Sequence, residues 1–354
     1  MQIPRSLKYI TLSVEMAVWS VRILLKMSGV WNKNITVATI VLFVDSTTSF
    51  TMKETDKACF FFEDAFINFD KKQDIFITNI VMCILNCLFS MATCFGNFLV
   101  LFTIRKTQDL HLPSFVLLGC LAASDAIVGL ICQPLFVAFK IAELKESLTA
   151  FCFLKMLQSV SGWITTGATL AVLTAVSVDR LLALTLHLRY NAIVTVPRVF
   201  RLILAFWILC LVANVVRFWM TKEWYLIPIV AVFITFFIIT FSTIRIFHIV
   251  RRHIRQITDQ TLATNPPQAN TVNVLKCRKS AVTVLFIYGL VWIFYLPFLI
   301  VLFIEIFHGY TRTVRIAYDF AVTAVFINSF LNPVVYCWRI SEIRRAVKNV
   351  LRKE

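Results

Sequence analysis

The chain has 354 residues, of which 59% are hydrophobic and only 15% are charged, and its mean hydropathy is +0.80. Soluble domains carry about 25% charged residues, so this composition excludes a water-soluble globular protein. The net charge of +16 raises the question of nucleic acid, but the basic residues lie mostly at the ends of apolar segments and between them, which favours a membrane protein with no nucleic-acid partner.

Residues 1–74 are predicted to form a poorly ordered extracellular extension. Their longest apolar run, 37–44, is too short to cross a membrane. The region 7–30 makes a poor signal peptide because Glu15, Arg22 and Lys26 interrupt it. The sequon Asn34-Ile35-Thr36 predicts a glycan on Asn34.

Seven segments then follow that are apolar over the roughly 20 residues a helix needs to cross the hydrocarbon core of a bilayer. These segments, called spans 1 to 7 below, cover 75–104, 112–138, 151–186, 200–218, 224–250, 281–306 and 314–338. The sequence therefore predicts an all-α membrane protein, with a seven-transmembrane helix bundle over residues 75–338.

The basic residues predict the orientation of the bundle. One set of alternating connections is rich in Lys and Arg, as at 105–106, 251–255 and 276–279, whereas the opposite set carries few, among them Lys140, Lys145 and Lys155. Basic residues favour the cytoplasmic side of a membrane. We therefore expect an extracellular N-terminus, a cytoplasmic C-terminus and a location in the plasma membrane.

Two connecting regions have distinctive patterns. Residues 259–271 are polar and contain two prolines, which predicts a mobile cytoplasmic linker between spans 5 and 6. After span 7, apolar residues recur at helical spacing within 339–354 and basic residues lie between them. This pattern predicts a short amphipathic helix on the lipid of the inner leaflet, and a plain solvated basic tail is the alternative.

Asp125 is the most unusual residue in the apolar segments because it lies near the middle of span 2. A lone carboxylate at that depth costs roughly 2.5–3.5 kcal/mol on insertion scales, so it indicates a functional site. Polar residues that could meet Asp125 recur in other spans: Asn97, Thr169, Asn328, Ser329 and Asn332.

Short motifs follow one another in the spans in a specific order. They are Gly96-Asn97, 121–125 (Leu-Ala-Ala-Ser-Asp), Asp179-Arg180-Leu181, Trp207, Pro297 and 332–336 (Asn-Pro-Val-Val-Tyr). Each alone is weak, but together they resemble the rhodopsin-like (class A) G-protein-coupled receptors over about residues 75–353. The resemblance implies a receptor that senses an extracellular ligand and activates a heterotrimeric G protein by opening the cytoplasmic ends of spans 6 and 7.

The resemblance also implies roles for single residues in this activation. Asp179 would hold Arg180 in a latch that is released toward the G protein, and Leu188 matches an apolar knob that inserts into the G protein. Pro297 and Pro333 would act as hinges, since proline removes a helical hydrogen bond. The remaining switch residues are Tyr295, which stands where a Trp is usual, Asn332 and Tyr336.

The resemblance further implies an allosteric Na⁺ ion on Asp125 with the polar residues named above around it, and no other cofactor. A hard cation would offset the cost of an ionised carboxylate in low dielectric. The alternative stays open that Asp125 is hydrogen-bonded to Asn97 and Asn332, or is protonated, and holds no ion.

Departures from the family pattern narrow the ligand and the branch. The usual disulfide cannot form, because the short link between spans 4 and 5 has no cysteine; Cys59 is the one obvious extracellular partner for Cys152. The tiny link and the missing mid-span proline in span 5 resemble the melanocortin and adenosine receptors most. Gly162, eighteen residues before Arg180, replaces the carboxylate of amine receptors, and Phe326, seven before Pro333, replaces the retinal lysine.

Helical phase from the motifs predicts which residues line a ligand pocket. The set is apolar with a few polar groups, which is typical of sites for small molecules. Ordinary packing between helices is the alternative for each member. The predicted lining residues are Gln158, Gly162, Trp163, Thr166, Tyr295, Phe298, Leu302 and Asp319.

Other functions find less support in the sequence. No catalytic pair of nucleophile and base and no metal cluster indicates an enzyme. A secondary transporter predicts inverted repeats, and the two halves show no self-similarity. A receptor-like membrane protein that does not signal through G proteins is the other alternative, because several switch positions differ from the family.

Overall fold

The computed structural model describes the backbone of residues 73–352 except 187–188, 217–225, 264–267 and 310. Seven helices in this part of the chain are long and apolar enough to cross a membrane. The prediction of a helical membrane protein with seven spans is therefore confirmed. The first four spans are the helices Gln73–Lys106, Pro113–Ile127 with Gln133–Leu144, Leu148–Leu186 and Val196–Val216; the last three are Leu226–Ala263, Gln268–His308 and Arg312–Arg339.

Span 2 is two α-helices joined by a π-helical turn at Val128–Cys132. Pro134 lies two residues after this turn, and a proline has no N–H to donate to the preceding turn of helix. π-helical turns are rare and frequently lie at functional sites. The helix continues to Leu144, so the expectation that Lys140 lies in a connection is wrong: this side chain is buried inside span 2.

The predicted linker at 259–271 is also largely wrong. Span 5 continues as a helix to Ala263, and span 6 begins at Gln268, one residue after Pro267. Polar residues such as Asp259 and Gln260 are compatible with a helix in water, so their polarity did not mark its end. Residues 259–263 and 268–271 of the predicted linker are therefore helical, and residues 264–267 lie outside the described part of the chain.

The chain divides into two compact units. The first unit comprises the described residues up to Phe95, Ala126–Gly162 and Phe294–Phe330. Its spans 1, 2 and 7 meet through aromatic and polar contacts. Phe136 packs edge-on against Phe326 with 6.0 Å between ring centroids, and the Asn86 amide donates to the Thr323 hydroxyl at 3.0 Å.

The second unit comprises Gly96–Asp125, Trp163–Ile293 and Leu331–Glu354. Small residues allow close packing here. A Cβ atom on Gly96 would lie 3.3 Å from the side chain of Pro333, and one on Gly167 would lie 2.8 Å from the Cys210 sulfur. The first contact brings the glycine of span 1 against the proline that interrupts span 7.

A last helix, Ser341–Arg352, follows span 7. Ile343, Ala346, Val347 and Val350 are buried on one face, while Arg345 and Lys348 are exposed. Arg344 donates hydrogen bonds to the carbonyls of Cys337 and Trp338, which satisfies acceptors that the end of span 7 leaves open. The helix is amphipathic, and its contact with the inner leaflet stays a prediction.

Candidate functional site

Asp179 and Arg180 form an ion pair near the end of span 3. The Arg180 guanidinium donates from Nη2 and Nε to Asp179 Oδ2, at 2.6 and 3.0 Å. The carboxylate is buried, whereas 29% of the Arg180 side chain is exposed. The predicted latch residues therefore hold each other, and the arginine still reaches the surface.

Two residues that the sequence analysis missed complete this network. The Tyr190 hydroxyl donates to Asp179 Oδ1 at 2.6 Å, and the Ser114 hydroxyl donates to Asp179 Oδ2 at 3.0 Å. Burial raises the pKa of Tyr190, and its bond to the carboxylate raises it further. The phenol therefore stays protonated and remains a donor at neutral pH. Asp179 thus joins spans 2 and 3 to the short helix Tyr190–Ile193.

Asp125 is fully buried, and Asn332 of span 7 donates from Nδ2 to its Oδ2 at 2.7 Å. Asn97 and Thr169, also in the second unit, are buried as well. Asn328 and Ser329 are buried in the first unit. The structure thus brings one predicted partner, Asn332, directly onto the carboxylate. The cation site on Asp125 stays a prediction.

The predicted hinges lie inside continuous helices. Pro297 is within span 6 and Pro333 within span 7. Tyr336 is fully buried in the second unit, and Tyr295, with 2% of its surface exposed, is buried in the first. Trp292, one turn before Tyr295, packs against Phe236 of span 5 at 4.5 Å between ring centroids.

The predicted pocket residues are divided between the units. Trp163 and Thr166 lie in the second unit, and the other six lie in the first. A Cβ atom added to Gly162 would lie 3.5 Å from the side-chain nitrogen of Gln158. The ring of Phe298 packs against that of Tyr318, with 5.8 Å between the ring centroids. Tyr295 and Leu302 are almost fully buried. Asp319 has a strong partner that the sequence analysis did not foresee.

That partner is Lys140, whose Nζ lies 2.6 Å from Asp319 Oδ2 and 3.3 Å from Glu143 Oε2. Glu143 pairs in turn with Arg315, and both carboxylates are buried. The four side chains form a row of alternating charge between spans 2 and 7, called the ionic row below. The i, i+3 spacing of Lys140 and Glu143 was the one sequence signal for it.

Several predictions concern residues outside the described part of the chain. These are Leu188, Asn34, the link between spans 4 and 5, and the extension up to residue 72. Cys152 is in a disulfide, and its predicted partner, Cys59, also lies outside the described residues.

A class of membrane receptor is defined by seven apolar helices that carry three features. These are a buried acid in span 2, an Asp-Arg pair near the end of span 3 and a proline in span 7. The chain matches the 7 transmembrane receptor (rhodopsin family) over residues 96–226 and 219–336, more than half of its length. It belongs to that family, and so is a multi-pass G-protein-coupled receptor rather than a member of an enzyme family.

Known relatives agree with this assignment. The chain is 25% identical to melanocortin receptor 5 of Mus musculus over 264 residues, which cover 72% of this chain and 79% of that protein. It is also 25% identical to melanocortin receptor 3 of Rattus norvegicus, with 72% and 80% covered. The predicted likeness to melanocortin receptors is confirmed.

Proposed function

We propose that this receptor senses an extracellular ligand and activates a heterotrimeric G protein through Arg180. The observation that carries the proposal is the Asp179–Arg180 ion pair, reinforced by Tyr190 and Ser114. In the resting receptor Asp179 holds the guanidinium. Activation opens the cytoplasmic ends of spans 6 and 7 and frees Arg180, while Leu188 supplies an apolar contact to the G protein.

Two further features support the same mechanism. Pro297 and Pro333 each interrupt the hydrogen bonding of a span, which makes a change of bend inexpensive there. Asp125 and Asn332 tie span 2 to span 7 next to the second of these prolines. A Na⁺ ion on the Asp125 carboxylate would strengthen this tie in the resting state, so that release of the ion accompanies activation.

The ligand is proposed to be neither a typical biogenic amine nor retinal. Gly162 offers no carboxylate to an amine, and Phe326 offers no amine for a Schiff base. The ligand would contact the predicted pocket residues of the first unit, where Tyr295, Phe298 and Leu302 supply apolar surface.

The test is second-messenger output in cells that overexpress the receptor, alone and with a ligand panel that includes melanocortins. Arg180→Ala should reduce cAMP or calcium responses to the level of untransfected cells, because it removes the charged side chain that contacts the G protein in this proposal. Leu188→Asp should have the same effect by placing a charge in an apolar contact.

Arg201→Ala is the matched control, since it removes an exposed arginine from span 4. It should signal like the wild-type receptor at equal surface expression. Undiminished signalling by Arg180→Ala would contradict the role of this residue. A wild-type receptor at the cell surface that gives no output with any ligand would favour the alternative of a receptor-like protein without G-protein signalling.

A further inference from the structure

The ammonium group of Lys140 lies in a cage of carboxylates and aromatic rings in the first unit. Its Nζ is 2.6 Å from Asp319 Oδ2 and 3.3 Å from Glu143 Oε2. The same atom lies 5.0 Å from the ring centre of Phe139 and 5.8 Å from that of Phe136. Only 1% of the Lys140 surface is exposed, so the group has no contact with bulk water.

This combination of groups is how proteins recognise organic cations. A carboxylate supplies the opposite charge, and the faces of aromatic rings attract a cation through their quadrupole, most strongly when water is excluded. The rings are held in place: Phe136 packs edge-on against Phe139 at 5.0 Å, and Phe139 against Phe151 at 6.0 Å. Packing therefore holds the two rings in place around the ammonium group.

Two further cations act on this cage: Arg315, which belongs to the ionic row, and Lys155, which interacts electrostatically with Lys140 and Asp319. Glu143 is shared, because Arg315 pairs with its other oxygen. Within the part of the chain that the structure describes, Lys140 is the one ion-pair partner of Asp319. Removal of the lysine would thus leave Asp319 without its direct ion-pair partner in a buried space lined by two rings, which favours uptake of a cation.

We propose that Lys140 is the built-in occupant of an alkylammonium site formed by Asp319, Glu143, Phe136 and Phe139, and that it sets ligand specificity by excluding organic cations. The statement about specificity rests on the proposed function, since it concerns the ligand of a receptor. Asp319, a predicted pocket residue, is then not available to a cationic ligand. The receptor accepts neutral or anionic ligands because its own lysine fills the one cation site of this cage.

The proposal is tested by chemical rescue of Lys140→Ala in the purified full-length receptor. This variant retains the Cβ atom and lacks three methylene groups and the ammonium, a volume that n-propylammonium matches. Loss of the buried counter-ion should lower the melting temperature by about 10 °C. Addition of n-propylammonium at concentrations on the order of 10 mM, suited to a ligand of four heavy atoms, should restore at least half of that loss.

Three controls make the rescue specific. The neutral isostere n-propanol should restore nothing, and ionic strength is held constant with N-methyl-D-glucamine. Lys145→Ala, which removes an exposed lysine five residues along the chain, should melt like the wild type and ignore the amine. The double variant Lys140→Ala with Asp319→Asn should also lose the response, because the principal carboxylate of the cage is neutral.

Absence of an amine-selective recovery in Lys140→Ala overturns the proposal, including the case in which the variant stays unfolded when expressed with n-propylammonium in the medium. Equal recovery with n-propanol overturns it as well, because a cavity that any small solute fills is not a cation site. The readout is independent of signalling. A variant that recovers with the amine while the wild type never signals upholds the cage and contradicts the proposed receptor function instead.

Discussion

Asp125 and Lys140 are both fully buried ionisable residues of span 2, yet they are satisfied differently. Asp125 accepts a hydrogen bond from the Asn332 amide, a neutral donor, at 2.7 Å. The positively charged Lys140 forms ion pairs with two negatively charged carboxylates, those of Asp319 and Glu143. The Asn332 amide brings no net positive charge to Asp125, whereas Lys140 lies between two opposite charges, so we expect an added cation to act at Asp125.

The first prediction concerns sodium at Asp125. Replacement of N-methyl-D-glucamine by Na⁺ at constant ionic strength should raise the melting temperature of the wild-type receptor by a few degrees. An ion present at about ten times its Kd contributes about 1.4 kcal/mol through mass action. Basal nucleotide exchange on the G protein should fall in the same titration, because the ion favours the resting state.

Asp125→Asn should abolish both sodium effects, since an amide offers no net charge to the cation. Asp109→Asn makes the same chemical change at an exposed position and should retain both. A wild-type receptor whose stability and basal exchange ignore Na⁺ would show that Asp125 is a structural residue, hydrogen-bonded to Asn332 with no ion.

Single residues differ in how far the sequence reveals their contacts. Asp179 and Arg180 are adjacent, so their ion pair could be predicted from local spacing. Ser114 and Tyr190 lie 65 and 11 residues from Asp179, and their hydrogen bonds depend on how spans 2 and 3 pack. Lys140 was missed because hydropathy falls at a lysine whether its ammonium faces water or a buried carboxylate.

At the scale of whole helices, hydropathy predicts which residues cross the membrane but not where a helix ends. Span 5 was expected to end near residue 250 and continues to Ala263. Outside the bilayer a helix is stable with polar side chains, and only proline or glycine interrupts it reliably. The π turn of span 2 was not predicted either, because one extra residue in a turn leaves no pattern beyond Pro134 itself.

The second prediction concerns the contact between spans 1 and 2 at Gly129. A Cβ atom there would lie 2.9 Å from the Cys94 sulfur and 3.1 Å from both the Cys94 nitrogen and the Thr93 Cβ. Two of these three atoms are backbone or β-carbon atoms, so a rotamer change cannot relieve the overlap. Gly129→Ala should destabilise the receptor by about 1–3 kcal/mol and lower its melting temperature and surface expression.

Gly289→Ala is the matched control, because nothing lies within 4 Å of the added Cβ in span 6. Alanine is the better helix former, so this variant should melt at the wild-type temperature or above. If the two alanine variants melted alike, the close approach of spans 1 and 2 at Gly129 would not contribute to stability.

For the molecule as a whole, composition and motif order were sufficient to predict the class of protein. Seven apolar segments require seven helices, because a membrane offers no partner for unpaired backbone groups. The family model and the melanocortin receptors confirm that inference. Contacts within each unit, such as Phe136 with Phe326 or Gly96 with Pro333, could not be predicted, because they depend on helix rotation, which hydropathy does not determine.

The last prediction concerns the orientation of the whole chain in the plasma membrane. Exposed basic residues lie at or beyond the same alternating ends of the apolar spans: Arg105, Lys106, Arg251, Arg252, Arg255, Arg345 and Lys348. Such residues are retained on the cytoplasmic side, and seven spans then leave the N-terminus outside. An epitope tag before Met1 should be stained on intact cells, and a tag after Glu354 only after permeabilisation. An N-terminal tag that needs permeabilisation at the surface of cells would contradict either the number of spans that cross the membrane or the assignment of the basic helix ends to the cytoplasm.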